Sequence, residues 1–193
     1  MRLTHVLTRR GTATSPTSQC RLLMLHKPKG YVVTRSDEKG RKTVYDLLPA
    51  WAFDEGWMPA GRLDLDSRGL LLFSKGGREV DALTRPGRLS KTYEVWVRGR
   101  VTPEHVGLAL TGALRAKEVE VLGQAGPKTR LRVVLDEGRN RHIRRLFGSM
   151  KDPKFGTPLK VLELKRTAIG GLALDVPSGQ WRFLTAAESS SLL

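Results

Sequence analysis

Short apolar runs separated by glycine, proline and charged residues form the main hydrophobic pattern of the chain. Apolar residues fill positions 22–25, and a Lys-Gly pair at 29–30 separates them from a second run at 31–34, which predicts a β-hairpin. The polar stretch at 61–69 precedes the run at 70–74. We therefore predict a second strand pair on either side of that polar stretch.

Alternation is clearest in the segment KTYEVWVRG, where Tyr93, Val95 and Val97 are separated by Glu94 and Trp96. This period of two predicts a strand. Further strands are predicted in VEVLG, in TRLRVVLDEG and in the C-terminal part, which reads as strand, turn and strand with a helical end. Because the strands follow one another too closely for helical crossovers throughout, the pattern favours an α+β fold with a mainly antiparallel sheet.

Four further segments carry helical signals. Thr102 and Pro103 are typical of a helix N-cap and first turn, and Gly112 follows the pattern that they begin. The other helices are predicted at 43–48, followed by a Trp-rich loop, at 78–84, and at 139–150. The last of these has apolar residues at the spacing of an amphipathic helix, and its polar face is almost entirely arginine.

The composition of the chain indicates which class of molecule it binds. The 193 residues carry a formal net charge of +15 and a pI near 10.6, so the surface should attract polyanions, with nucleic acid as the leading partner. Hydrophobic residues make up 39% of the chain, which is enough for a core. Residues 1–20 are basic and lack acids, and we expect a flexible N-terminal arm there, with an ordered domain over 21–193.

Cysteine content and hydropathy exclude other classes. Cys20 is the one cysteine, so the chain has no disulfide framework or thiolate metal site, and a reducing cytoplasm is the expected location. The apolar runs are far shorter than the ~18–20 residues that a membrane span needs, so no membrane association is expected. A monomer is expected because no heptad pattern or large apolar stripe is visible.

The basic residues are concentrated between positions 139 and 166, a segment that contains nine basic and two acidic residues. Phosphate contacts explain such a cluster, and a solvated basic helix face is the alternative. A second basic stretch, HKPKG at 26–30, could extend a track for the RNA backbone. Charge by itself gives affinity without sequence choice.

Asp64 and Asp66 stand out in this chain because they lie between Arg62 and Arg68. Three interpretations compete: a D-x-D metal site, a single nucleophilic carboxylate, and a polar turn in which Asp66 and Ser67 form an Asx-type structure. The four histidines show no spacing that would complete a metal site, which disfavours the first interpretation.

Three ordered segments, GRLDLDSRGLLLFSKGG, KTYEVWVRG and EGRNRHIRRLFGSM, resemble the signature motifs of pseudouridine synthases of the RsuA/RluB/RluE/RluF branch. The flanking segments HKPKG and IGGLALDVPSGQWRFLT are also similar. The resemblance implies the pseudouridine synthase fold, an extended antiparallel sheet in two subdomains flanking a basic catalytic cleft. It further implies isomerisation of a uridine in structured RNA, without cofactor or metal.

The resemblance also implies roles for individual residues. Asp64 matches the nucleophile, which attacks either C1′ of the ribose or C6 of the uracil. Tyr93 matches the residue that stacks on the flipped base, and Arg144 matches the basic partner of the aspartate. Arg62 is expected to hold the nucleotide out of its stack. The remaining expected RNA contacts are Arg139, Arg141, Arg145, Lys27 and Lys29.

About 20 residues precede the first catalytic-domain strand, so the resemblance is closest to short RluE-like members that lack an S4 domain and modify large-subunit (23S) ribosomal RNA. The expected partner is therefore ribosomal RNA. Two alternatives stand beside this hypothesis. One is a non-catalytic RNA-binding or ribosome-assembly protein on the same fold, and the other is a metal-dependent nuclease that uses Asp64 and Asp66.

Overall fold

The structure, a computed structural model, describes residues 22–193. The predicted N-terminal arm lies outside this range. The strands are β1 (Leu22–Lys27), β2 (Met58–Ala60), β3 (Arg68–Ser74), β4 (Lys91–Arg98), β5 (Glu118–Ala125), β6 (Lys128–Leu135), β7 (Lys160–Ile169), β8 (Leu172–Ala173) and β9 (Trp181–Phe183). The α-helices are α1 (Ala50–Asp54), α2 (Gly77–Thr84), α3 (Pro103–Thr111), α4 (His142–Gly148) and α5 (Ala186–Leu192), and a 3-10 helix covers Val44–Leu47.

All nine strands belong to one mixed sheet, with the order β5-β6-β4-β7-β3-β1-β9, and β2 and β8 pair with β3 and β7. The strands β5, β6, β4 and β7 form one antiparallel part, and β2, β3, β1 and β9 form the other. A short parallel ladder joins the two parts, with Arg68 opposite Lys165 and Gly69 opposite Arg166. The α+β prediction of a mainly antiparallel sheet in two parts is therefore confirmed.

The sheet has a hydrophobic core on each face. Successive residues of β1 alternate between them, so that Leu23 and Leu25 enter the larger core while Leu22 and Met24 enter the smaller one. The larger core also receives Tyr93 with the alternating valines of β4. Burial of the alternate β4 positions fixes the face to which Tyr93 points.

The first predicted hairpin is wrong. Strand β1 pairs with β3 on one side and β9 on the other, and Val32 makes only an isolated bridge with Thr43. All six residues of β1 are buried. Because a central strand has both edges occupied, no edge remains for residues 31–34, which instead run beside the cleft described below.

The other predicted elements are mostly confirmed. The β2–β3 pair surrounds the polar stretch, and α3 begins at Pro103 behind an N-cap at Thr102. The Trp-rich segment after Pro49 was expected as a loop but contains α1. Within residues 22–193, no helix has the length and apolar character needed to cross a bilayer.

Candidate active site

A cleft of about 1070 Å³ lies where the two parts of the sheet meet. Its walls come from the loop between β2 and β3, from β4 and β7, and from the segment leading into α4. Five of the nine predicted catalytic and RNA-contacting residues line it: Arg62, Asp64, Tyr93, Arg139 and Arg141. The fold therefore brings together residues that are up to 79 positions apart in the chain.

Asp64 lies in the tight loop between β2 and β3. The backbone N–H of Ser67 donates to the carbonyl oxygen of Asp64 at 3.0 Å, which closes a turn, and the preceding Leu63 is buried in the larger core. The side chain of Asp64 is 30% exposed. A buried residue on one side and a closed turn on the other thus hold its carboxylate at the cleft.

Two arginines flank the carboxylates of this loop. Arg141 Nη1 lies 3.6 Å from Oδ2 of Asp64 and 3.7 Å from Oδ1 of Asp66. Arg144 approaches Asp66 more closely, with Nη2 3.0 Å from Oδ2, while its Nε lies 4.0 Å from Oδ2 of Asp64. Asp66 therefore forms the closer ion pair, and the carboxylate of Asp64 has cations nearby without a short bond to either.

Arg144 is fixed by its own helix and by a carbonyl group. Ile143, Leu146 and Phe147 are buried and attach α4 to the larger core. The Nη1 atom of Arg144 donates to the carbonyl oxygen of Val161 at 3.0 Å, and the side chain is only 11% exposed. A guanidinium held in this way presents its charge to the loop carboxylates with little freedom to move.

Arg141 adopts a strained backbone conformation. It is the N-cap of α4, with φ 48° and ψ 34°, and among residues 22–193 it is the one non-glycine residue with positive φ. Left-handed conformations of bulky residues cost of order 1 kcal/mol or more and are concentrated at functional sites. Here the conformation accompanies contacts of Arg141 with both Asp64 and Asp66.

Lys27 corrects one prediction. It was expected to contact RNA, but it is 0% exposed, and its Nζ donates to the carbonyl oxygens of Pro28 at 3.0 Å, Asp64 at 3.0 Å and Ser67 at 2.7 Å. Burial lowers the pKa of Lys27 to about 8, against the opposing effect of the nearby Asp64 and Asp66 carboxylates. Lys27 therefore fastens the Asp64 loop to the end of β1.

The other predicted RNA contacts differ in position. Arg62 and Arg139 are exposed and line the cleft, and Arg139 also donates to Glu137 and to the carbonyl oxygen of Ala113. Arg145 and Lys29 are exposed but do not line the cleft, and Lys29 lies 3.7 Å from Glu163.

Sequence reasoning missed two basic residues of the cleft wall, Arg166 and Lys91. Arg166 was counted only as part of the basic cluster. It is the register partner of Tyr93 in the β4–β7 ladder, as Leu164 is of Val95. Because register partners share a face of the sheet, Arg166 lies on the face of Tyr93, which the irregular apolar pattern of β7 did not indicate.

The three interpretations of the Asp64–Asp66 loop can now be compared with its geometry. A backbone turn is present, but the carboxylate of Asp66 contacts Arg144 and Arg141. Within the part of the chain that the structure describes, no group of three or more His, Cys, Asp or Glu side chains could hold a metal ion. The arrangement is an anionic group surrounded by cations at the edge of a cleft wide enough for a nucleotide.

Comparison with known proteins gives a consistent result. Residues 21–149 match the RNA pseudouridylate synthase family. A relative from Vibrio cholerae named ribosomal large subunit pseudouridine synthase B is 40% identical over 182 residues, which are 90% of this chain and 54% of the relative. The Escherichia coli protein of the same name is 34% identical over 182 residues, or 60% of its length. The chain thus spans about half to three fifths of the length of these relatives.

Solved structures agree with the fold. A structure described as a crystal structure of pseudouridylate synthase has a TM-score of 0.77 and 28% identity, covering 90% of this chain and 74% of the other. An archaeal box H/ACA complex of Nop10 and Cbf5 has a TM-score of 0.59 at 22% identity, covering 81% of this chain and 50% of that one, and shares the fold alone. By its sequence motifs, its fold and the family match over residues 21–149, the chain belongs to the RNA pseudouridylate synthase family.

Proposed function

We propose that this protein converts a uridine of large-subunit ribosomal RNA to pseudouridine, with residues 21–193 as the catalytic domain. The observation that carries the proposal is the position of Asp64, a carboxylate at the cleft with Arg141 at 3.6 Å and Arg144 at 4.0 Å. Ribosomal RNA is proposed as the substrate because the relatives at 34–40% identity are named large-subunit synthases. The same substrate implies action in the cytoplasm, and we propose a monomer.

The proposed reaction begins with attack by the Asp64 carboxylate on C1′ of the ribose or on C6 of the uracil. When C1′ is attacked, the C1′–N1 electrons leave with the uracil, which becomes an anion. When C6 is attacked, the electrons of the C5–C6 double bond move towards the O4 carbonyl before the C1′–N1 bond breaks. Both routes end with C5 bound to C1′, the aspartate released, and N1 protonated after C5 has lost its proton.

The surrounding residues supply what a carboxylate nucleophile needs. Arg141 and Arg144 place positive charge beside the Asp64 carboxylate, but neither makes a short bond that would occupy its attacking oxygen. Tyr93 is proposed to stack on the flipped uracil and to assist the loss of the C5 proton. Arg62 is exposed at the cleft and is proposed to hold the nucleotide out of its helix, where extrusion costs a few kcal/mol.

The decisive experiment compares Asp64→Asn with the wild-type protein on large-subunit ribosomal RNA transcribed without modifications. We expect Asp64→Asn to form no pseudouridine while binding the RNA nearly as tightly as the wild type, because the amide preserves shape but is not a nucleophile. Asp81→Asn, which changes an exposed residue of α2, is the matched control and should retain activity. Pseudouridine is mapped chemically and RNA binding is measured by filter retention.

An active Asp64→Asn protein would overturn the assignment of the nucleophile. If the wild-type protein bound ribosomal RNA but formed no pseudouridine on free RNA or on assembling subunits, a non-catalytic RNA-binding role would replace the proposed function. A chelator that stopped the reaction would instead favour metal-dependent chemistry at the two aspartates.

A further inference from the structure

Arg166 is a nearly buried cation in the cleft wall that the scheme above does not use. The residue is 5% exposed, and Nε donates to the carbonyl oxygen of Leu70 at 2.7 Å. Its Nη2 atom is buried and has no hydrogen-bond partner within residues 22–193. A buried unpaired donor costs of order 1–3 kcal/mol or more when it is charged, and the residue also lines the cleft, so an acceptor that enters the cleft beside the guanidinium would offset this cost.

We propose that Arg166 is a specificity-determining residue that donates a hydrogen bond to a carbonyl oxygen of the target uracil. This inference rests on the proposed function. Arg166 is the register partner of Tyr93, which is proposed to stack on the base, and both side chains line the cleft. A flipped uracil that contacts Tyr93 therefore brings its edge within reach of the neighbouring guanidinium.

The charge around Arg166 also favours an electron-rich ligand. Burial and, next, the charge of Arg166 lower the pKa of Lys91, which lies two residues before Tyr93 in β4. Arg166 also opposes protonation of Lys27. No carboxylate of the described residues forms an ion pair with Arg166, unlike Arg141 and Arg144.

The depth of Arg166 favours the base over the backbone as its ligand. A backbone phosphate is strongly hydrated and can be bound by the exposed Arg62 and Arg139, whereas a flipped base can enter the cleft beside Tyr93. Arginine only donates hydrogen bonds, so it can donate to a carbonyl oxygen but cannot pair with the amino group that cytosine carries at position 4. This pairing selects uracil if the contact is to O4.

The same contact supports the reaction by either proposed route. Attack on C1′ leaves the uracil as an anion, and attack on C6 moves electrons towards O4, so the carbonyl oxygens gain negative charge in both. A fixed donor at the oxygen stabilises that charge without reorganisation. The hydrogen bond from Nε to Leu70 holds the guanidinium in place for this purpose.

The test is a cycle that combines a protein change with an atomic change in the RNA. The substrate is a synthetic fragment of large-subunit ribosomal RNA that spans the uridine modified by the wild-type protein. It is made with uridine, 2-thiouridine or 4-thiouridine at that position, because sulfur accepts hydrogen bonds poorly. Single-turnover rates are measured for the wild type, Arg166→Met and Arg166→Lys.

We expect Arg166→Met to react roughly 10- to 100-fold more slowly on uridine, as for the loss of a charged hydrogen bond. One of the two thio substitutions should slow the wild type about tenfold and should have little further effect on Arg166→Met, which identifies the oxygen. Arg166→Lys retains the charge and covers the case in which the methionine variant is unstable, and it should show a reduced thio effect as well. Arg130→Met, on the opposite face of the sheet, is the control and should behave as the wild type.

Equal thio effects in the wild type and both Arg166 variants would overturn the inference while leaving the proposed function intact. Wild-type protein that forms no pseudouridine on any ribosomal RNA would overturn the proposed function and this assignment together.

Discussion

Arg144 places its Nε 4.0 Å from the Oδ2 atom of Asp64, across a loop that the guanidinium also anchors through Asp66. The side chain of Arg144 is 11% exposed and that of Asp64 is 30% exposed, so solvent screens their interaction only in part. A shorter bond would stabilise the carboxylate as an ion and reduce its nucleophilicity. The observed spacing keeps the charge close while leaving the carboxylate accessible.

Removal of the Arg144 charge should lower the rate of the chemical step. We expect Arg144→Met to lower kcat by roughly 100-fold or more, in the range typical for a lost electrostatic partner, with a smaller change in KM. Arg144→Lys should recover only part of the activity. A single ammonium group retains the charge but cannot contact Asp64, Asp66 and the Val161 carbonyl at once as the guanidinium does. The measurement is steady-state pseudouridine formation with unmodified ribosomal RNA.

Arg141→Met is the informative comparison, since the Arg141 side chain is 49% exposed and its charge is better screened. Its loss of kcat should be smaller than that of Arg144→Met. If the two variants were equally impaired, the distinction between a fixed inner cation and a screened outer one would be wrong.

Substitutions of Tyr93 can distinguish a role in stacking from a role in proton transfer. Tyr93→Phe keeps the ring and should bind RNA normally, but it should release the C5 proton roughly 100-fold or more slowly if the hydroxyl assists that step. Tyr93→Leu should lose the ring contact as well and weaken formation of the flipped complex. Tritium release from RNA labelled at C5 of uridine measures the step, and equal rates for Tyr93→Phe and the wild type would assign the residue to stacking alone.

Lys27 should give a pH dependence of stability with a defined sign. Its pKa of about 8 in the folded protein lies below the usual 10.5, so between these values the unfolded chain binds the proton that the folded chain has released. The contribution of Lys27 to the free energy of unfolding therefore rises as pH rises from about 8 towards 10.5. Urea titrations of the wild type and Lys27→Met from pH 7 to 10 test this.

The difference in stability between the wild type and Lys27→Met should grow in favour of the wild type over that pH range. Lys27→Met should also reduce activity at pH 7, because three carbonyl oxygens of the Asp64 loop and its neighbourhood lose their donor. A stability difference that stayed constant with pH would show that Lys27 titrates normally.

RNA affinity should separate exposed from buried cations. A basic residue that contacts phosphate contributes about 0.7–0.9 to the slope of log affinity against log salt concentration. Arg62→Gln and Arg139→Gln should each reduce the slope by about this amount, because both side chains are exposed at the cleft. Lys27→Met should leave the slope unchanged, since Lys27 is fully buried. The binding isotherms are measured at salt concentrations from about 50 to about 300 mM, a range wide enough to determine the slope.

Local sequence signals predicted most of the elements because those elements are defined locally. Thr102 and Pro103 begin α3 with side-chain and backbone features that need no tertiary contact, and the alternation of β4 reports its half-buried position. The predicted hairpin at β1 failed because the pairing partner of a fully buried strand depends on distant segments. Here those partners are β3 and β9.

The candidate site shows the same limit. The motif resemblance singled out Asp64, Tyr93 and Arg144, but the presence of a basic residue in a sequence does not reveal where its charge points. Lys27 is turned inward onto three carbonyl oxygens, and Arg166 becomes part of the cleft only through its register with Tyr93. The register of Arg166 with Tyr93 belongs to the β4–β7 ladder, and Arg166 also lies opposite Gly69 in the parallel ladder between β3 and β7, which the sequence pattern did not predict.

Gly69 is the position at which that ladder can be tested. Its φ is +120°, and a Cβ added there would lie 2.2 Å from the carbonyl oxygen and 2.5 Å from the backbone nitrogen of Arg166. Gly69→Ala should therefore separate β3 from β7 and destabilise the protein by about 2–4 kcal/mol, through both strain and a backbone clash. Gly107→Ala in α3 is the matched control: nothing lies within 4 Å of its added Cβ, and helix propensity predicts a gain of about 0.5–1 kcal/mol. Unfolding free energies from urea titrations decide between these outcomes, and a Gly69→Ala protein as stable as the wild type would contradict the close approach of the two strands at Arg166.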